Sequence, residues 1–592
     1  MKKLVYIFLF FGFYLSLNAQ DKPSTETAKD TIKTEVINVV TSYTPTIADA
    51  FKIRKNPILK FSKRSEKKKL EYNIFSAPVA STFKPKSGKV KGVDVGKRER
   101  LYNNYLAGGF GNNTTPFAEL FIHNISRFDY DYGLYAKYIS SAGGVENSPL
   151  NSGYSDFTAG LFYGQEDRYF DWKVSLNSER KQYNWYGLPT SNNINYDQAT
   201  INAINEKQTY NFFELEGNIS LEDSYIDNGK VSISYFSDAF KSKEIEVSLH
   251  PNFMIPLDFI SRTWNDLKLD FSLDYLSGDF IKSYGSNLAL SHKFITVGSN
   301  PTYKFNFKGF NIKLGTKLYF TSDLENSINQ FYIYPDVNIS FPLIKGYANL
   351  YGGTKGDLKT NSYKKFSEQN PFISPNLYIT QTNERINFYG GLNGKLSQNI
   401  SYNFRSSFKE EQDKPLFIRN NSKSDGTTAI VNSIPLLGYE YGNSYNVKYI
   451  DLQTLSFFGE ISVEVSKNLN LGANAEMNTY TFNNSIALWN LPEINGQFFA
   501  RYNRHKWYAG TDIFFVGTRS AIEYNGTFPS NETVKTLDTY IDINLNGGYH
   551  INDKFSTFLK INNLLGSNYE RFSNFNVQGL QILGGFTWKF DF

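Results

Sequence analysis

From Leu101 to the C-terminus, apolar and polar residues alternate with a period of two in window after window. In LKLDFSLDYL (267–276), Leu267, Leu269, Phe271, Leu273 and Tyr275 fall on one face of an extended chain, and Lys268, Asp270, Ser272 and Asp274 on the other, because successive strand side chains point to opposite sides. The pattern returns in KVSISYF (230–236), NIKLGTKLYF (311–320), GEISVEVS (459–466), DTYIDINLN (538–546) and FSTFLKIN (555–562), with Gly, Asn, Asp and Ser clusters between the runs. No stretch holds a helical period over a dozen residues. A single such window also fits a half-buried strand of a soluble sandwich, so the connections must decide.

Twenty-two strands can be placed, from 101–111 and 115–127 through 400–412 and 443–466 to 554–566 and 578–592. Connections from an even strand to the next odd one are mostly short, as at 126–131, 396–400, 466–470, 504–507 and 550–554. Many of those from odd to even are long: 187–208, 359–383, 413–442 and 520–535. Short turns on one side and long loops on the other are the mark of an outer-membrane barrel. Unpaired backbone groups are costly in hydrocarbon, so strands span it only as a closed, edgeless sheet. The expected fold is therefore all-β: a transmembrane antiparallel β-barrel of about 22 strands over 101–592, with its apolar face on outer-membrane lipid and a wet lumen.

Composition agrees. Aromatic residues reach 17% while mean hydropathy stays negative, as expected where aromatic girdles surround a polar interior. The absence of cysteine rules out disulfides, thiolate metal sites, a catalytic thiol and an acylated N-terminal cysteine. MKKLVYIFLFFGFYLSLNAQ has the layout of a secretory signal peptide over 1–19. Residues 21–100 carry 19 Lys/Arg against 9 Asp/Glu, whereas 101–592 carry 41 against 48, so a basic segment (20–100) precedes an acidic barrel. Its KRSEKKK cluster (63–69) is read as a solvated arm, with no nucleic acid expected. His123, His250, His292, His505 and His550 are scattered and form no catalytic motif. No enzyme activity, metal or cofactor is expected. Near the outer rim, Tyr183, Trp185 and Tyr186 are candidates for external ligand contacts by stacking, or else part of the interfacial girdle.

The C-terminal GGFTWKFDF (584–592) puts Phe586, Trp588, Phe590 and Phe592 on one face. It resembles the signal by which the barrel-assembly machinery recognises outer-membrane barrels. NLNGGYHINDKFSTFLKINNLLGSNYERF (544–572) resembles the closing hairpins of TonB-dependent receptors, and TEVINVVTSYTP (34–45) is similar to the stretch where these carry a TonB box or a first plug strand. The resemblance implies an energy-coupling stretch at Glu35, Val36, Val39, Val40 and Thr41. The arginine- and glycine-rich signature of a complete plug is missing between Gln20 and Leu101, so the chain resembles such a receptor with a missing or reduced plug. Two functions are implied: uptake of an unidentified ligand with TonB as partner, or a barrel serving as scaffold in an assembly, secretion or surface-display complex with a plug-like or surface lipoprotein. The basic segment is expected either to fold back into the lumen, drawn by groups such as Asp270, Asp274, Asp542 and Glu464, or to stand in the periplasm as a partner-binding arm.

Overall fold

The computed structural model describes residues 101–592 except 126–129, 190–193, 263, 432 and 484. The expected signal peptide, the basic segment and the expected energy-coupling stretch at Glu35–Thr41 therefore lie outside the described residues. Twenty-two strands form one antiparallel sheet. It closes where the first strand, Asn104–Gly111, pairs with the last, Gln581–Phe590, in a register running from Asn104↔Phe590 to Gly111↔Leu583. Closure leaves no open edge, so every strand pairs on both sides. No described helix is long and apolar enough to cross a membrane; the crossing is made by strands.

The alternation sorts the two faces as the sequence implies. On the strand Leu267–Phe280, Phe271 and Leu273 point outward and are exposed, whereas Asp274 meets His250 at 2.8 Å and Asp270 meets Lys268 at 2.9 Å inside the barrel. Exposed aromatics gather at the short-turn end: Tyr169, Tyr225, Trp264, Phe307, Tyr347, Trp507, Tyr549 and Phe592. Such a ring marks a membrane–water interface. Together with the closed barrel and its apolar outer face, it makes this an outer-membrane protein. Phe586 and Trp588 lie on the same outer face, exposed, and Trp588 stacks on Phe590 at 4.7 Å.

The longest connections, 185–206, 360–381, 420–444, 517–539 and 563–580, follow odd-numbered strands of the sheet and so share one end. Some strands rise well beyond the bilayer: Ile400–Arg419 has 20 residues and Tyr445–Ser466 has 22, about twice the ~9–11 that a tilted span needs. Two short helices, Gln198–Ala203 and Tyr363–Gln369, lie in these loops. The connection expected as open loop at 520–535 is largely a hairpin of Arg519–Tyr524 with Glu532–Leu537.

Candidate functional site

The lumen wall changes character along its length. On Leu267–Phe280 the inward positions run Lys268, Asp270, Ser272 and Asp274, then Leu276 and Phe280, both buried. Neighbouring strands supply Tyr210, Phe236 and Phe294 at the same end, and these apolar groups pack with Tyr363, Phe366, Ile373, Leu377 and Ile379 of the connection 360–381. The wall is thus apolar where a loop enters the barrel mouth and polar below it.

The helix Tyr363–Gln369 anchors that loop. Its N-cap Ser362 accepts a hydrogen bond from Lys365 N, and Glu244 of the wall accepts from Tyr363 N at 2.7 Å and Lys364 N at 3.1 Å. These bonds satisfy donors that a helix start otherwise leaves free. Tyr363 donates its hydroxyl to Asp238 at 2.8 Å, and Tyr210 donates to Pro371 O at 3.0 Å.

Other loops interlock above it. Trp185, fully buried, donates Nε1–H to Phe372 O at 3.0 Å and packs against Phe240 and Tyr439. Tyr186 donates to Asn576 O at 2.7 Å, and its ring meets Phe372 and Phe575 edge-on. Phe372 stacks on Phe575 at 3.9 Å, while Tyr445 donates to Ser573 O at 2.9 Å. Asn443 donates to Trp185 O and Gly438 O, and Trp489 is buried beneath the hairpin at Ile522. Glu440 bridges Lys282 at 2.7 Å and Lys423 at 2.8 Å. Burial opposes its ionisation, but the bonds from Lys282, Lys423 and Leu437 N outweigh that cost and hold the carboxyl below the ordinary carboxylate range. Loops from across the barrel therefore form one packed cap over the mouth.

The aromatic candidates are part of this cap. Tyr183 packs against the apolar cluster at the wall, Trp185 has no exposed surface and Tyr186 is half-buried. Of the lumenal carboxylates named above, Asp270 and Asp274 are paired with Lys268 and His250, Asp542 accepts from Tyr569 at 2.9 Å, and Glu464 is exposed at the short-turn end. Farther round the wall, Glu411 is fully buried among Lys359, Lys409 and Lys414 at 2.9–3.2 Å. Among the described residues no group of three or more His, Asp or Glu is placed to hold a metal ion.

No protein-family model matches this sequence, and no curated protein matches it. Solved structures do. A complex of FpvAI with pyocin S2 aligns with TM-score 0.61 at 14% identity, covering 83% of this chain and 73% of that one. The pyoverdine outer membrane receptor FpvA from Pseudomonas aeruginosa PAO1, bound to pyoverdine, gives 0.59 at 13% identity over 84% and 79%. The ferric-catecholate import receptor Fiu from K12 E. coli gives 0.59 at 9% identity over 83% and 82%. At these identities the likeness is one of fold: the outer-membrane receptor barrel.

Proposed function

We propose that this chain is an outer-membrane receptor barrel that admits a ligand from outside, in the manner of the TonB-dependent receptors its C-terminal hairpins resemble. The observation that carries this reading is the cap: loops from opposite sides of a receptor-type barrel converge on one another over the mouth, as a binding and gating element must. Tyr183, Trp185 and Tyr186 then contact ligand only after the cap parts, because their rings are engaged by protein while it is closed. Residues 34–45, with Glu35, Val36, Val39, Val40 and Thr41, serve as the periplasmic handle for TonB, and residues 1–19 as the export signal. A peptide spanning 34–45 should bind the periplasmic domain of TonB, and deleting it should leave barrel assembly intact; a peptide that does not bind removes the energy-coupled reading.

The second reading is a scaffold or partner subunit of an envelope complex. It is favoured by the extent to which the cap is already satisfied by its own contacts and by the lack of a full plug signature before Leu101. Native purification from outer membranes separates the two. A small molecule retained by the barrel supports uptake, and a stoichiometric plug-like or surface lipoprotein supports the complex.

A further inference from the structure

The cap contains two buried arginines that no carboxylate touches among the described residues, although Glu570 lies within electrostatic reach of one of them, Arg519. Arg419, at the outer end of its strand and paired in register with Tyr445, is only 3% exposed, and its Nε and Nη1 have no acceptor. Arg519 is 6% exposed; its Nη groups donate to Arg571 O and Glu570 O, but its Nε is also without a partner. Tyr445 joins the two, since both guanidinium groups lie within electrostatic reach of its hydroxyl, which donates to Ser573 O. Beside that bond, Ser573 Oγ and Asn574 Nδ2 are buried and unpartnered as well. The nearby carboxylates are engaged elsewhere: Glu570 by Lys535 at 3.0 Å and by Asn574 N, and Glu532 by Lys448 at 3.5 Å.

A buried guanidinium without a counter-charge is strongly unfavourable, and each buried donor left unmade adds to the cost. Planar forks of N–H donors match an oxyanion, which accepts several charge-assisted bonds at once. We propose that Arg419, Arg519, Ser573 and Asn574 form a binding site for an oxyanion of the carboxylate, phosphate or sulfate class, and that its occupancy locks the cap shut. The coupling runs through Tyr445, whose N–H donates to Phe372 O at 3.0 Å and whose carbonyl accepts from Ser374 N at 2.8 Å. The anion therefore braces the strand end on which the 360–381 loop is hung. This site stands whether or not the barrel transports.

The test uses the full mature protein in detergent. The chain has no cysteine, so a Ser367→Cys change on the buried face of the helix Tyr363–Gln369 gives a single thiol whose labelling reports cap opening. Sodium phosphate, sodium sulfate and sodium acetate are titrated at constant ionic strength set with sodium chloride. Phosphate or sulfate should slow labelling at least tenfold at saturation, and Arg419→Gln should abolish that dependence; Arg419→Lys, which keeps the charge but loses the fork, should weaken it. Slowing by acetate alone assigns the site to the carboxylate of an organic ligand rather than to a free inorganic ion. Equal labelling in all four salts, or an undiminished effect in Arg419→Gln, overturns the proposal. If Arg419→Gln fails to assemble, selenate soaked into crystals of the parent protein should give an anomalous peak beside Arg419, and a map without one there is equally decisive.

Discussion

Replacing Phe366 with Ala should loosen the cap without unfolding the barrel. Phe366 is 1% exposed and meets Phe417 edge-on at 6.0 Å, within the cluster that joins the 360–381 loop to the lumen wall. Truncating a buried phenylalanine costs about 3–5 kcal/mol. The strands are held by their own ladders, so the loss falls on docking of the loop. At about 1.4 kcal/mol per tenfold, the undocked population should rise by roughly 100- to 4,000-fold. When opening and closing are fast relative to labelling, the reaction of a cysteine at Ser367 follows that population and should accelerate by the same factor. Tyr363→Phe removes the hydroxyl, and with it the bond to Asp238 at 2.8 Å and the longer one from Gln208 at 3.4 Å; the bond to the charged partner alone is worth about 1.5–3 kcal/mol, so labelling should rise roughly 10- to 100-fold. A rate within threefold of the parent in Phe366→Ala, or a parent thiol that already reacts as fast as a free one, refutes the claim that this helix pins the loop.

Three further outcomes are expected. A cysteine at Thr427, exposed in the long-loop end, should react with an impermeant thiol reagent on intact cells, while one at Gln398 in a short turn should react only after lysis; Asn421, although in a long loop, is buried and would be a poor reporter. Changing Phe590 and Phe592 to Ser should lower the amount of mature protein in the outer membrane several-fold, as read by heat-modifiable gel mobility, because it strips aromatics from the lipid-facing end of the closing strand. Glu440, whose carboxyl is held below its ordinary value of 4.5 by Lys282 and Lys423 against the cost of burial, stabilises the closed cap above that pH, and the contribution is lost as pH falls below 4.5 and through the lowered value; pepsin cleavage in the 420–444 loop should rise over that fall in the parent, and Glu440→Gln should remove the step.

The barrel was legible because its two signals are local. Period-two alternation is written strand by strand, and loop parity needs only the lengths between them; both survive errors at strand ends. The errors that do occur have structural causes. The strand expected at 400–412 runs to Arg419 because the register shifts between Glu411 and Lys414, a bulge that interrupts the alternation. The alternating window 538–546 joins the barrel only from Tyr540, because the residues through Leu537 pair with the 519–524 arm instead. The cap was not legible in the same way. Its contacts join residues as far apart as Trp185 and Phe372, or Tyr186 and Asn576, and its buried Asn370, Asn443 and Ser444 have the composition of solvated turns. One trace was present. Leu276, Phe280 and Phe294 are apolar on the parity that elsewhere faces the wet lumen, and an apolar residue on a polar face requires something apolar to cover it.

How the cap can open follows from where its apolar contacts lie. The bonds linking Trp185, Tyr186, Asn443 and Tyr445 to neighbouring loops run from side chains to backbone carbonyls. Water can replace each on opening, at a net cost of about 0.5–1.5 kcal/mol. Apolar burial is different, because it is recovered only when the same surfaces meet again. The largest apolar cluster of the cap joins the 360–381 loop to the wall through Tyr363 and Phe366. The 420–444 and 563–580 loops meet the rest of the cap through smaller clusters. The outer loops are therefore the inexpensive layer and the helix Tyr363–Gln369 the costly one. A ligand shifts such an equilibrium only by its difference in affinity for the two states, so contact with the outer loops alone can rearrange them while the helix stays docked. Freeing the lumen takes either a ligand that displaces Phe366 from the wall or work applied from the periplasmic side.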